Sequence, residues 1–314
     1  MRSDRGRGAA IPLRPLWYDR SSTAQRQHTA SSDATVPGVG RPQGDRRRHR
    51  GRRGGHSPQT LWRWFAPCWA SRPEASGRIV SRVIVLDATG VVKRLAVALL
   101  AGDPATSRPV GWGFAPRECL GAWLPFLLAL AEREADPEFV VCDGRKGLLK
   151  AIRAVWPTSR IQRCVIHVHR QAMAWLTRNP QAEAGWEVRR LVSALLLVRT
   201  TDDRDEWLGR LQSWEMRHSG FLRERIFGDG GRWWYTHRRL RAVRSLLRNA
   251  APNLFRYVDD PGVPRTSNHV EGGLNARLKE LRHSHRGVTR RQHMALASWY
   301  LHLRATKKPT RNVT

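Results

Sequence analysis

Three carboxylates occupy positions from which they could do chemistry. Asp87 closes the β-branched apolar run VIVLD (83–87), Asp143 sits at the Asp-Gly end of EFVVCDG (138–144), and Glu271 falls in the first turn of a helix read from SNHVEGGLNARLKEL (267–281). A strand end fixes a carboxylate rigidly while letting it face a cleft, and two or three such groups can hold a pair of Mg²⁺ ions roughly 3.5–4 Å apart. One ion activates an attacking water or 3′-hydroxyl and the other stabilises the leaving oxygen, which suits phosphodiester cleavage and joining. Each acid also has a plainer role. Asp-Ala and Asp-Gly both favour turns. Asn268-x-x-Glu271 has the spacing of a capping box, with Asn268 as N-cap and Glu271 at N3. Spacing alone favours the turn role for Asp87 and Asp143 and leaves the cap a strong alternative for Glu271.

The surroundings of Glu271 add further candidates. Val270, Leu274, Leu278 and Leu281 form an apolar helix face, with Glu271, Asn275 and Lys279 as a polar stripe beside it. Arg265, Arg282 and the stretch HSHRG (His283, His285 and Arg286 within 283–287) supply donors suited to phosphate oxygens. Cations at a helix C-terminus also favour its dipole, and the two roles are compatible. With Asn268, Asn275 and Lys279 they make up the candidate DNA contacts. Cys164-x-x-His167, beside His169, is half a zinc site without a second half at finger spacing. On spacing alone, a buried thiol and a hydrogen-bonded imidazole near a strand end explain it better. Trp175, Trp186, Trp207, Trp214, Trp233 and Trp234 read as helical core, with base stacking as the alternative.

Elements must position these groups. VIVLD, a turn at ATG and VVKRLAVALL (91–100) read as a hairpin of buried strands, with VGWGF (110–114) as a third strand. ECLGAWLPFLLALAERE (118–134) reads as a helix, EFVVCDG as a strand, KGLLKAIRAVW (146–156) as a helix stopping before Pro157, and RIQRCVIH (160–167) as a strand. The order β-β-β-α-β-α-β predicts a mixed α/β sheet. From 168 to 262 helical periodicity dominates and predicts an all-helical insertion, after which helices over 263–287 and 290–304 complete the fold. Residues 1–60, Arg-rich and poor in apolar side chains, read as a disordered basic segment. The predicted divisions are 1–60, 61–167, 168–262 and 263–314.

Charge narrows the partner. The 314 residues carry 56 Lys+Arg against 26 Asp+Glu, a formal net charge of +30. Such an excess implies a polyanion, because neutralising phosphates releases counterions. Four cysteines without a C-x-x-C pair make neither a disulfide framework nor a complete zinc site. With no apolar run of 18 residues and no apolar signal core, the expectation is a soluble protein of a reducing cytoplasm.

Together these residues resemble the Mutator-type transposases of bacterial insertion sequences. The resemblance rests on IVLDATGV (84–91), VVCDGRKGLLKAI (140–152), QRCVIHVHRQ (162–171) and RTSNHVEGGLNARLKELRHSHRG (265–287), which occur in the family's order. It implies an RNase H-like core interrupted by a helical insertion, and a DDE triad of Asp87, Asp143 and Glu271 binding two Mg²⁺ or Mn²⁺ ions. It matches Cys164 and His167 to the family's C-x-x-H motif as active-site support. It further implies double-stranded DNA partners (element ends and target), a homo-oligomer, and a nucleoid-associated place in a bacterial cytoplasm. Two departures accompany it. The first strand reads DAT where relatives more often have DGT, and no C-x-x-C pair or two-helix pattern precedes residue 60. The alternatives are an RNase H-like nuclease that only hydrolyses, and an inactive remnant that binds DNA.

Overall fold

The apolar run from Val83 builds the central strand of a sheet. The computed structural model describes residues 58–92, 95–285 and 287–306, with the side chains of 58, 61, 62, 269 and 271 outside that description. The predicted disorder of 1–60 therefore falls almost wholly outside the described residues. The chain divides into two units, Met1–Pro67 and Cys68–Thr314. Of the first, the described part is the beginning of helix α1 (Pro58–Ala70), and the fold below belongs to the second.

Strands β1 (Val83–Val92), β2 (Ala96–Asp103) and β3 (Arg108–Ala115) form an antiparallel meander. Helix α2 (Leu120–Ala131) leads to β4 (Phe139–Cys142), helix α3 (Lys146–Val155) to β5 (Arg160–Arg163), and both strands run parallel to β1. The five-stranded sheet has the order β3-β2-β1-β4-β5 and is mixed, as the alternating pattern of elements predicts. Strands buried on both faces read as continuous apolar runs, which is why β1 and β4 show no polar alternation.

Two boundaries differ from the sequence reading. The ATG after Asp87 is strand, not turn: Ala88, Thr89 and Gly90 pair with Leu99, Ala98 and Val97, and the reversal comes only after Val92, where Leu95 N–H bonds the Val92 carbonyl at 3.0 Å. Thr89 is β-branched and buried, so it extends the strand. Asp87 thus lies within β1 rather than at its end. At the second boundary, β5 stops at Arg163 and helix α4 (Val165–Trp175) starts directly behind Cys164. Cys164 N–H still reaches the Cys142 carbonyl at 2.7 Å, but Val165 N–H turns to the Arg265 carbonyl at 3.0 Å. Val165, Val168 and Ala172 then bury at helical spacing.

Each face of the sheet carries a core. Ile84, Leu86, Val140 and Cys142 pack with Trp123 and Leu127 of α2 and Leu148 and Ile152 of α3. Val83, Val85, Leu100 and Val141 pack on the other face against helices from the C-terminal part of the chain. The third core belongs to the helical stretch: α4, α5 (Glu183–Ala194), α6 (Thr201–Arg217), α7 (Arg238–Ala250) and α8 (Arg256–Asp259). Trp207 and Trp214 are buried there, donating from Nε1 to the Leu191 and Ala184 carbonyls at 2.9 Å each, which fits the core reading of these two rings. Helix α6 opens with a capping box between Thr200 and Asp203. The stretch is not wholly helical. Strands β6 (Arg225–Phe227) and β7 (Trp233–Tyr235) form a hairpin around Gly230 and Gly231, whose φ values of 71° and 72° suit glycine.

The chain returns to the sheet through α9 (Asn268–Val270), a π-helical turn (Glu271–Asn275) and α10 (Ala276–Ser284), and ends its described part with α11 (Arg290–Thr306). Val270, Leu274 and Leu278, spaced by four, are all buried against the sheet. In a regular α-helix each step of four drifts by roughly 40°. The wider π turn, with Gly272 and Gly273 inside it, takes up part of that drift and keeps the three side chains on the sheet.

Candidate metal centre

Strand pairing sets the segments that carry the first two carboxylates side by side. Val83, Ile84 and Val85 pair with Phe139, Val140 and Val141 in parallel, so continuing by two residues sets Asp87 level with Asp143. Neighbouring strands lie about 4.8 Å apart. The two-residue alternation puts Asp87 on the side of Val83 and Val85, the face covered by α9, the π turn and α10.

Asp87 is 9% exposed. Its Oδ1 accepts from Ala88 N–H at 2.8 Å and its Oδ2 accepts a short bond from Asn275 Nδ2. Asn275 is 2% exposed, so it faces Asp87 rather than an outer DNA-contacting surface. Asp143, one residue past β4, accepts from Arg145 N–H and Arg145 Nε at 2.9 Å each. Arg145 also pairs with Glu118 at 3.3 Å. Burial first, and the Asp143 charge second, hold the Glu118 carboxyl above its ordinary range, with Arg145 and a bond from Trp123 Nε1 opposing them. Glu118 and Arg145 were not singled out from the sequence, since only the fold carries Glu118 across to Asp143.

Gly144 explains why the turn after Asp143 is Asp-Gly. Its φ is +81°, and a Cβ there would run into the Arg163 guanidinium. Arg163 is buried and donates from Nη2 to the Asp143 carbonyl at 3.1 Å, with burial holding its pKa below the ordinary value. The backbone beneath Asp143 is thereby anchored from both sides.

Glu271 begins the π turn that also contains Asn275, and its side chain lies outside the described residues. The helix begins at Asn268, so the cap position moves to Ser267; Asn268 is exposed. Ser267 is engaged with the second constellation. Its N–H and Oγ both donate to Cys164 Sγ, at 3.3 and 3.4 Å, and its Oγ lies 3.5 Å from His167 Nδ1. Burial pushes the Cys164 thiol up, yet the bonds from His167 and Ser267 outweigh it and leave the thiol below its ordinary pKa. Cys164 and His167 therefore link the start of α4 to the residue preceding α9.

The remaining candidates separate. Arg265 is held by the helical stretch, donating from Nη2 to the Leu196 carbonyl at 3.1 Å with its guanidinium 5.9 Å from the Tyr257 ring. Lys279 and His283 are exposed, whereas His285 bonds the Leu281 carbonyl through Nδ1 at 2.9 Å. Arg282 is half-buried near Gly90 of β1. Arg286 lies outside the described residues. Among the described residues, no three His, Cys, Asp or Glu side chains gather as a metal cage, and no helix is long and apolar enough to cross a membrane.

Residues 83–218 match the family model described as "Transposase, Mutator family". This segment, less than half of the chain, is similar to the Mutator-family transposases. The match takes in Asp87, Asp143, Cys164 and His167 but ends before Glu271. The chain is also 37% identical over 83 residues to a "Probable transposase for insertion sequence element" of Corynebacterium diphtheriae, covering 25% of this chain and 24% of that protein. It is 33% identical over 132 residues to the "Transposase for insertion sequence element ISRM5" of Rhizobium meliloti (strain 1021), covering 41% of this chain and 32% of that protein. The matched segments thus span about a quarter and about a third of these relatives.

Proposed function

We propose that the chain is a DDE-type transposase that cuts DNA and joins the freed 3′-hydroxyls to a target. The observation that carries this reading is the bond from Asn275 to Asp87, which docks the Glu271–Asn275 turn on the face of β1 that bears Asp87, beside the parallel strand β4 that leads into Asp143. The strand order supports an RNase H-like core for the sheet, with the helical stretch of 168–262 as the insertion that separates Asp143 from Glu271. Residues 61–167 and 263–314 are then the two parts of one catalytic core.

The donor set suits a hard divalent cation. Asp87 and Asp143 offer carboxylate oxygens, and Asn275 Oδ1 is a buried acceptor without a partner among the described residues. Bound Mg²⁺ or Mn²⁺ would polarise the phosphodiester and lower the pKa of an attacking water or hydroxyl. Asp87, Asp143 and Glu271 would hold the ions. Arg145, 65% exposed at its side chain, is free to leave Asp143 when a cation arrives. The net charge of +30 supports duplex DNA as the partner, and pairing of two element ends calls for more than one copy of the chain.

Nicking of supercoiled DNA by the whole chain in Mg²⁺ or Mn²⁺ tests the reading. Asp87→Asn, Asp143→Asn and Glu271→Gln should each abolish nicking while leaving the circular dichroism spectrum unchanged. Undiminished nicking by a variant would remove its residue from the triad. A strand-transfer assay with pre-cleaved ends distinguishes transposition from hydrolysis alone.

A further inference from the structure

The least expected group at the centre is Asn275. Its side chain is 2% exposed, its Nδ2 donates to Asp87 Oδ2, and its buried Oδ1 has no hydrogen-bond partner among the described residues. A buried amide normally satisfies its oxygen, so an orphaned Oδ1 beside a carboxylate marks a place built for a further group. The backbone tells the same story. Asn275 closes the π turn that Glu271 opens, and π turns are costly insertions found mostly where function requires them. Val270, Leu274 and Leu278 clamp that turn to the sheet, and Val270 lies so close to β2 that a Cβ on Gly102 would come within 2.6 Å of it.

We propose that Asn275 is a positioning residue for the metal centre: it fixes the Asp87 carboxylate in one orientation and offers its free Oδ1 to a water on the bound cation. The amide immobilises Oδ2 from one side, and Ala88 N–H immobilises Oδ1 from the other at 2.8 Å. Asp87 is thus held by both oxygens before any cation binds, which reduces the ordering that binding demands. The same bond sets the depth at which the Glu271 turn docks on β1, linking two members of the triad through one side chain. This inference rests on the triad reading.

The test uses Mn²⁺ titration of the full chain followed by electron paramagnetic resonance, with DNA nicking measured in parallel. Asn275→Leu is close in size and removes both the donor and the orphaned acceptor; Asn275→Ala is the second variant, and circular dichroism checks that each is folded before the titration. Both should weaken Mn²⁺ binding at least about tenfold, in line with the loss of an outer-shell partner. Nicking should recover at saturating Mn²⁺, raising the apparent metal constant more than it lowers the maximal rate. A merely structural Asn275 would instead lower the melting temperature and leave the folded protein's Mn²⁺ affinity unchanged, and that result overturns the proposal. Asp87→Asn separates the two failures. If it binds Mn²⁺ and nicks like the parent, the triad is wrong; if it loses both while the Asn275 variants keep both, only the positioning role is wrong.

Discussion

At the scale of single residues, Asp87 and Asp143 differ in how they are held. Asp87 is fixed within a strand by a side chain from a distant helix, whereas Asp143 depends on the conformation of one glycine. Gly144 combines a positive φ with contact against the buried Arg163, so Gly144→Ala should strain the backbone and displace the guanidinium together. The expected cost is on the order of 2 kcal/mol, read as a lower urea midpoint at unchanged slope, with cleavage falling further than stability alone explains. A Gly144→Ala protein with parental stability and activity would show that the turn does not anchor Asp143. Both acids could be singled out from the sequence because each follows an apolar run. The partnership of Asp87 with Asn275 could not be, since 188 positions separate them and only the packing of Val270, Leu274 and Leu278 brings them together. For the same reason Asn275 read as part of a polar stripe and a candidate DNA contact.

At the scale of elements, periodicity revealed most helices and strands, and tertiary pairing decided their ends. β-Branched Thr89 favours strand past Asp87, and the pairing with β2 fixes it there. The helical stretch owes its core to long-range packing of Trp207 and Trp214, whose ring nitrogens both find backbone carbonyls. Trp207→Ala should cost about 3–5 kcal/mol, measured by chemical denaturation. A loss below 1 kcal/mol would mean that the stretch is not organised around this ring. Tyr257 gives a pH test of the same core. Burial pushes its hydroxyl up to about 12, with Arg199 opposing the shift, and the hydroxyl donates to the Val198 carbonyl at 3.1 Å. The folded state therefore retains this proton where the unfolded chain, with an ordinary value near 10, has lost it. Its contribution is full below about pH 10 and is lost as the pH rises towards 12. Tyr257→Phe should lack that part of the alkaline loss of stability; identical pH profiles for the two proteins would refute it.

At the scale of the whole molecule, charge and topology bear on the proposed function from independent directions. The 56 basic against 26 acidic residues suit a polyanionic partner, and the pairing of β1 with β4 sets the strand bearing Asp87 beside the strand that leads into Asp143. Composition alone could reveal the first but not the second. If several phosphates are contacted, log K for duplex DNA should fall linearly with log salt, losing about 10³-fold or more between roughly 50 and 200 mM. A binding constant insensitive to salt would contradict a phosphate-directed surface. The central claim is that Asp87, Asp143 and Glu271 form one metal centre. Its most direct test is the Mn²⁺ affinity of the full chain and of Asp87→Asn, Asp143→Asn and Glu271→Gln, measured by electron paramagnetic resonance without DNA. Saturable binding by the parent and its loss in all three variants is the predicted result; parental affinity in any one of them would contradict it.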